Sequence, residues 1–319
     1  MPAVWSFLAP APEPGLQPGP VPTFSVVIPA YQAADSVGDA VESALSQTVR
    51  PLEVIVVDDG STDGIEEALR PYSGRITLLS KENGGRASAR NLGVAHAQGE
   101  LVSFLDADDV YEHARLEALG RLAAARPDLG VLMTDATLEV EGRVVGRFCA
   151  ETPFAVDDQR LAILDRCFVV CPCVRRSRLV DAGGFDEAIP MGEDWECWIR
   201  LIMRGVQVGL VDAPLYRYRI RTSDADRVSS LRERVRVLEK VSVTAELSQE
   251  ERDVLERSFS RTRQRALLAE AESALRNGDK TARRRSLERP GATGPSSEPR
   301  PNVSPRRQMS TDQPRVPPV

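Results

Sequence analysis

Ser25-Val26-Val27-Ile28-Pro29 and Leu52-Glu53-Val54-Ile55-Val56-Val57-Asp58-Asp59-Gly60 are two short, mainly apolar runs, each closed by a residue that ends a strand. Strands buried on both faces read as continuous apolar runs of this kind rather than as alternation. Between them Val37, Val41, Ala44 and Leu45 recur at helical spacing, behind Asp35 or Ser36, either of which can cap a helix. The unit then repeats outward. A short helix around Glu66 to Leu69 precedes a third strand near Ile76 to Leu79, and Asn83-Gly84-Gly85 opens a helix from about Ala87 to Ala97. A fourth strand follows at Leu101-Val102-Ser103-Phe104-Leu105. Strands alternating with helices predict a parallel sheet covered on both faces. Ligands bind beyond the carboxyl ends of such strands, and Asp58, Asp59 and Asp106 all stand there.

Beyond the fourth strand the pattern predicts a helix from about Glu112 to Ala125, a strand at Val131 to Met133 and a hairpin over Leu138 to Cys149 turning at Gly142. It loosens from Asp157 to Cys173, resumes with a helical turn at Arg176 to Val180, and gives a helix from Glu193 to Met203. Tyr216-Arg217-Tyr218-Arg219 alternates like a strand, with both arginines on one side. Residues 23–222 form the expected catalytic domain. From 223 to 278 two helical patterns meet near Ser248, which with Glu251 makes a capping-box signature. One stripe comprises Leu231, Val235, Leu238 and Val241, and the other Val254, Leu255, Phe259, Leu267, Leu268 and Leu275. Residues 1–22, carrying six prolines between Pro10 and Pro22, read as a flexible leader. Residues 279–319, basic and rich in Pro, Ser and Arg, read as disordered.

Charge and cysteine usage exclude several classes. The net charge is -6, yet Arg276 to Val319 alone carries +6, so the body is acidic. An acidic body argues against nucleic-acid binding, which needs a clustered positive surface. The basic tail either meets anionic lipid or a partner, or is simply solvated. Five cysteines without a secretory signal fit reduced, cytoplasmic thiols. Cys171-Pro172-Cys173 lacks the second pair a zinc knuckle needs, and His96 and His113 lie far upstream. No apolar run of about 18 residues is present, so membrane contact, if made, is peripheral, at the inner face.

Six segments now stand in register: Ser25 to Tyr31, Val56 to Asp63, Ala89-Arg90-Asn91, Leu105-Asp106-Ala107-Asp108-Asp109, Gly183-Gly184-Phe185-Asp186-Glu187 and Gly192-Glu193-Asp194-Trp195-Glu196. Together they resemble family-two glycosyltransferases, over about Phe24 to Ile220. The resemblance implies an α/β, Rossmann-like GT-A nucleotide-diphospho-sugar transferase fold with a mainly parallel central sheet, here with a C-terminal helical hairpin and a disordered tail. It also implies a UDP-, GDP- or dTDP-sugar donor, divalent Mn or Mg, and transfer with inversion to a glycan, lipid-linked or small-molecule acceptor hydroxyl.

Carried onto this chain, the resemblance places the donor nucleotide against Pro29, Tyr31, Asp58, Asp59, Arg90 and Asp106. Asp58 and Asp59 can equally cap the Ser61-Thr62-Asp63 turn, Tyr31 can fill space beneath its loop, and Arg90 can serve a structural salt bridge. Asp106 and Asp108 match the metal motif, where a hard cation held by carboxylates neutralises a leaving diphosphate; Asp109 is a weaker third ligand. Asp194 is the expected general base, although Glu193 and Asp194 also suit a helix start electrostatically. Gly184, Phe185, Glu193 and Trp195 are candidates for sugar or acceptor contact, with Phe185, Trp195 and Trp198 also readable as core. Arg217 and Arg219 meet a diphosphate, an anionic acceptor or solvent, and the role of Arg86 stays open. A nucleotidyltransferase would need a glycine-rich, basic loop after the first strand, which Pro29-Ala30-Tyr31-Gln32-Ala33 does not supply. An inactive nucleotide-sugar-binding protein would not need the full set of aspartates.

Overall fold

The computed structural model describes residues 5–12, 14–220 and 224–276. The apolar runs form the expected strands. β2 (Phe24–Ala30) and β3 (Glu53–Asp58) pair in parallel, with Ala30 beside Asp58, so the two strand ends lie at one edge of the site. β4 (Thr77–Ser80) adds to β3 and β5 (Leu101–Phe104) to β2, both in parallel. Between them run α1 (Val37–Leu45), α2 (Ile65–Leu69) and α3 (Arg86–His96), which cover the sheet. Ser36 occupies the cap position of α1, but its hydroxyl makes no capping bond. α3 lies close to β2 because Gly93 has no side chain there: a Cβ would stand 2.4 Å from Val27 Cγ1.

The second half is joined to the first antiparallel. β6 (Val110–Tyr111) precedes α4 (Arg115–Ala125), then β7 (Val131–Val140) and β8 (Arg143–Arg147) form the hairpin around Gly142. After α5 (Phe148–Glu151) and α6 (Gln159–Asp165), β9 (Cys173–Arg175) inserts between β7 and β5 and runs antiparallel to both. α7 (Arg176–Asp181) and α8 (Glu193–Met203) lead to β10 (Val208–Arg219), which runs parallel to β7. The sheet is therefore two parallel blocks with β9 as the antiparallel seam. α6 falls within the segment whose pattern loosens and β9 begins at its last residue, and α4 starts three residues later than the sequence suggests.

The described residues of the leader, 5–12 and 14–22, contact the domain. β1 (Phe7–Leu8) pairs antiparallel with β10. Trp5 lies 5.0 Å from the Arg121 guanidinium, Arg126 Nη1 donates to Pro10 O at 2.7 Å, and Gly19 N–H donates to Ala124 O at 2.8 Å. The β1 pairing covers part of the β10 edge, where an unpaired strand would invite association, and the other contacts fasten the leader to α4 and the residue after it.

α9 (Asp224–Thr244) and α10 (Gln249–Arg276) make the helical hairpin. The capping box is formed: Ser248 N–H donates to Glu251 Oε2 at 2.8 Å and Glu251 N–H to Ser248 Oγ at 3.3 Å. Val237, Leu238, Val241 and Leu255 are buried, whereas Leu267, Leu268 and Leu275 face outward, contrary to the proposed stripe. Among the described residues no helix is long and apolar enough to cross a membrane. The five cysteines are free. The expected disorder of 279–319 lies outside the described residues.

Candidate active site

The loops after β2 and β3 are stitched together by the segment that follows Gly60. Gln32 N–H donates to Ser61 Oγ at 3.0 Å, Gln32 Nε2 to Thr62 Oγ1 at 3.0 Å, and Ala34 N–H to Asp63 Oδ2 at 2.8 Å. Ser61, Thr62 and Asp63 thus shape the rim, and leave Tyr31 with 53% of its surface open beside half-buried Pro29. Asp58 Oδ1 accepts Ser61 N–H at 2.9 Å, the turn cap. Asp59 Oδ1 accepts from Lys81 Nζ at 2.7 Å and Gly84 N–H at 3.0 Å, and Oδ2 from Gly85 N–H at 2.8 Å. Both Asp59 oxygens therefore hold the glycine turn that launches α3. Its place in the site is as the organiser of that turn.

Arg90, on α3, is buried and bridges two carboxylates. Its Nη2 donates to Asp106 Oδ1 at 2.9 Å and its Nη1 to Glu193 Oε1, while its guanidinium lies 5.5 Å from the Phe185 ring centroid. Burial alone disfavours its charge, but Asp106, Glu193 and Asp194 more than offset this and hold the guanidinium firmly protonated. Glu193 is 1% exposed, and its carboxyl is pushed up to about 7 by burial, with Asp194 reinforcing and Arg90 and Arg86 opposing the shift. Its Oε2 has no hydrogen-bond partner. Glu193 is thus an internal partner of Arg90 rather than an exposed sugar contact. Asp194, the next residue, is half-buried, and its Oδ1 accepts Trp195 N–H at 2.7 Å.

The turn at Gly183-Gly184-Phe185 is clamped by Asn91, a residue quoted in the sequence motif without a role. Asn91 Oδ1 accepts Phe185 N–H at 2.8 Å, and Nδ2 donates to Phe185 O and Glu187 Oε1, each at 2.9 Å. Phe185 packs edge-on against Phe104 and Trp198 at 5.3 and 5.6 Å, which makes it an anchor beneath Arg90. Trp195 is also core: it is 3% exposed and its indole N–H donates to Ile163 O at 2.8 Å, so neither ring offers a face to a sugar. Gly184 has φ +71° and an added Cβ would stand 2.6 Å from Asn91 Oδ1. Gly184→Ala is expected to destabilise the chain by about 1–3 kcal/mol through backbone strain and a displaced Asn91, measured as a lower urea midpoint with unchanged m.

Beyond β5, donor atoms of Asp106, Asp109 and Cys171 lie within 4.8 Å of one another. Asp108, half-buried on the same loop, is outside that group. Asp109 is already engaged, accepting from Tyr216 Oη at 2.7 Å and Arg219 N–H at 2.8 Å, and burial first, with Asp106 adding, raises its carboxyl well above the carboxylate range. Asp109 thereby ties β10 to the loop after β5. Half-buried Asp106 and Asp108 present hard oxygen donors of the kind Mn or Mg takes together with phosphate oxygens. Arg217 pairs with Glu112 at 2.8 Å and Arg219 with Asp39 at 3.2 Å, and both approach Glu139, so the two arginines do share a side and are held there.

Residues 25–144 match the family model described as glycosyl transferase family 2. The chain is 28% identical over 188 residues to an uncharacterized glycosyltransferase of Rickettsia prowazekii, covering 56% of this chain and 58% of that one. It is 32% identical over 185 residues to the hyaluronan synthase of Pasteurella multocida, covering 57% of this chain and 19% of that one. The chain thus spans between a fifth and three-fifths of the length of these curated relatives. Among solved structures it is similar to S. aureus TarS in complex with UDP, with TM-score 0.56 and 21% identity over 75% of this chain and 71% of that one. It is also similar to a mannosyltransferase from Pyrobaculum calidifontis in complex with GDP-Man and Mn2+, with TM-score 0.57 and 20% identity over 90% of this chain and 82% of that one. At that identity the likeness is one of fold.

Proposed function

We propose, from the match of residues 25–144 to the glycosyl transferase family 2 model, that the chain acts as a member of that family and transfers a sugar from a nucleotide-diphosphate donor to an acceptor hydroxyl with inversion. The observation that carries the reading is Arg90, whose fork joins Asp106 beyond β5 to Glu193 at the start of α8. One buried cation thus links Asp106, expected on the leaving-group side, to Glu193, the neighbour in sequence of the expected base Asp194, which supports a single site. Relatives of similar fold bound to UDP and to GDP-Man with Mn2+ support a nucleotide-sugar donor.

In this reading the nucleoside lies over Tyr31 and Pro29, with Asp58 at its edge and Asp59 fixing the loop from below. Asp106 and Asp108 would hold a divalent cation, which would supply positive charge to offset that of a departing diphosphate. Asp194 takes the proton from the acceptor hydroxyl as its oxygen bonds to the anomeric carbon and the bond from that carbon to the diphosphate breaks. A donor that binds only the folded state raises apparent stability by about 2.7 kcal/mol at a hundredfold excess over Kd. A thermal-shift screen of UDP-, GDP- and dTDP-sugars with Mn2+ is expected to single out one base. In Asp106→Ala the metal-dependent part of that shift is expected to vanish; full retention removes the metal role from Asp106, and no shift with any donor overturns the transferase reading.

A further inference from the structure

α9 brings one more cation to the base side of the site. The half-buried Arg234 holds its guanidinium 5.1 Å from the ring centroid of Trp195. Trp195 directly follows Asp194, its N–H holds Asp194 Oδ1, and its indole is pinned to Ile163 O. Arg234 therefore rests on a fixed aromatic platform one residue from the expected base. The other α9 cations in this stretch are paired with carboxylates: Arg232 with Glu270, Arg236 with Glu233, and Lys240 with Asp186 and Glu196. Among the described residues Arg234 has no carboxylate partner, only the Trp195 ring. Cys167 reports the same neighbourhood: burial pushes its thiol up to about 12, Asp194 adds to the shift and Arg234 opposes it.

A planar guanidinium that is partly desolvated and unpaired matches a phosphate or carboxylate through two parallel hydrogen bonds. Four carboxylates, Asp106, Asp108, Glu193 and Asp194, gather here against Arg90 and Arg86, which face Asp106 and Glu193, so an anionic group approaching Asp194 gains from a further cation on that side. The leaving diphosphate is served on the other side, by the Asp106 loop.

We propose that Arg234 is a specificity-determining residue that receives an anionic group of the acceptor, a phosphate or a carboxylate, while the reacting hydroxyl faces Asp194. This rests on the transferase reading and deepens it by naming the acceptor class. The test compares a simple alkyl glucoside with its 6-phosphate and with the corresponding glucuronide, at saturating donor and Mn2+. The native chain is expected to favour the charged acceptors in kcat/KM, and Arg234→Gln to lower that preference at least tenfold, with Arg234→Lys restoring part of it. An unaltered preference overturns the proposal, and so does a loss of UDP affinity in Arg234→Gln, which would assign the cation to the donor. Direct titration with glucose 6-phosphate, without donor or metal, separates the two readings. If the native chain cleaves no donor, the transferase reading fails alone, and weaker phosphate binding by Arg234→Gln still upholds the anion site. Equal binding by both chains removes it.

Discussion

Asp194→Asn is expected to lower kcat by about 10²–10⁴ while nucleotide-sugar binding stays within about twofold, since proton removal by a positioned base contributes on that order. The substitution is nearly isosteric, and Asn can still accept the Trp195 N–H that Asp194 Oδ1 now accepts at 2.7 Å. Helix α8 therefore keeps its first turn. Only the ability to take a proton is lost, so the change falls on kcat and not on donor affinity. The loss corresponds to about 3–5 kcal/mol in the transition state at 1.36 kcal/mol per decade. Stopped-flow single turnover with saturating donor and acceptor isolates the chemical step. Turnover equal to the parent removes Asp194 from the base role.

The parallel core was legible because Val26 to Ile28 and Val54 to Val57 are apolar on both faces, a pattern that surface segments do not show. Helix α8 was legible to the residue because its apolar stripe and acidic start coincide, as Glu193–Met203. β9 was not, since three residues carry no period, and Cys173–Arg175 pairs only because two longer strands flank it. The leader misled in the same way: its prolines forbid a helix, but Phe7–Leu8 needs just two residues to extend an edge.

Within the site, composition could not divide carboxylates that organise loops from those left available. Asp58 and Asp59 are adjacent and chemically alike, yet Asp59 accepts three donors from the Lys81 to Gly85 segment. The signal was present in Asn83-Gly84-Gly85, because bare backbone N–H groups in a glycine turn require an acceptor. Trp195 and Phe185 illustrate the converse. Their neighbourhood in sequence to Asp194 and Gly184 suggested ligand contact, but both are buried, and each ring packs instead against a guanidinium, that of Arg234 and of Arg90.

Arg90→Met has the largest expected effect on the fold and removes activity with it. The parent guanidinium neutralises Glu193, which is 1% exposed and has an oxygen without a partner, and at the same time holds Asp106 at 2.9 Å. Removing one member of a buried pair leaves the other uncompensated, at a cost of about 3–5 kcal/mol and roughly 10 °C in Tm. The pH dependence distinguishes this cause from lost packing, because Met fills much of the same volume over Phe185. The Glu193 carboxyl sits at about 7 with Arg90 present, so loss of the cation moves it higher still. Toward pH 5.5 Glu193 increasingly holds its proton in both chains and the pair contributes less. As pH rises through 7 the parent ionises Glu193 against Arg90, whereas the variant must keep its proton or bury a bare charge, so its deficit widens. Urea unfolding at pH 5.5 and 8.5 measures the difference. A deficit that is equal at both values assigns Arg90 to packing alone, and Arg90→Met,Glu193→Gln, which deletes the stranded charge, is expected to recover most of the stability but neither the Asp106 contact nor the proposed transfer.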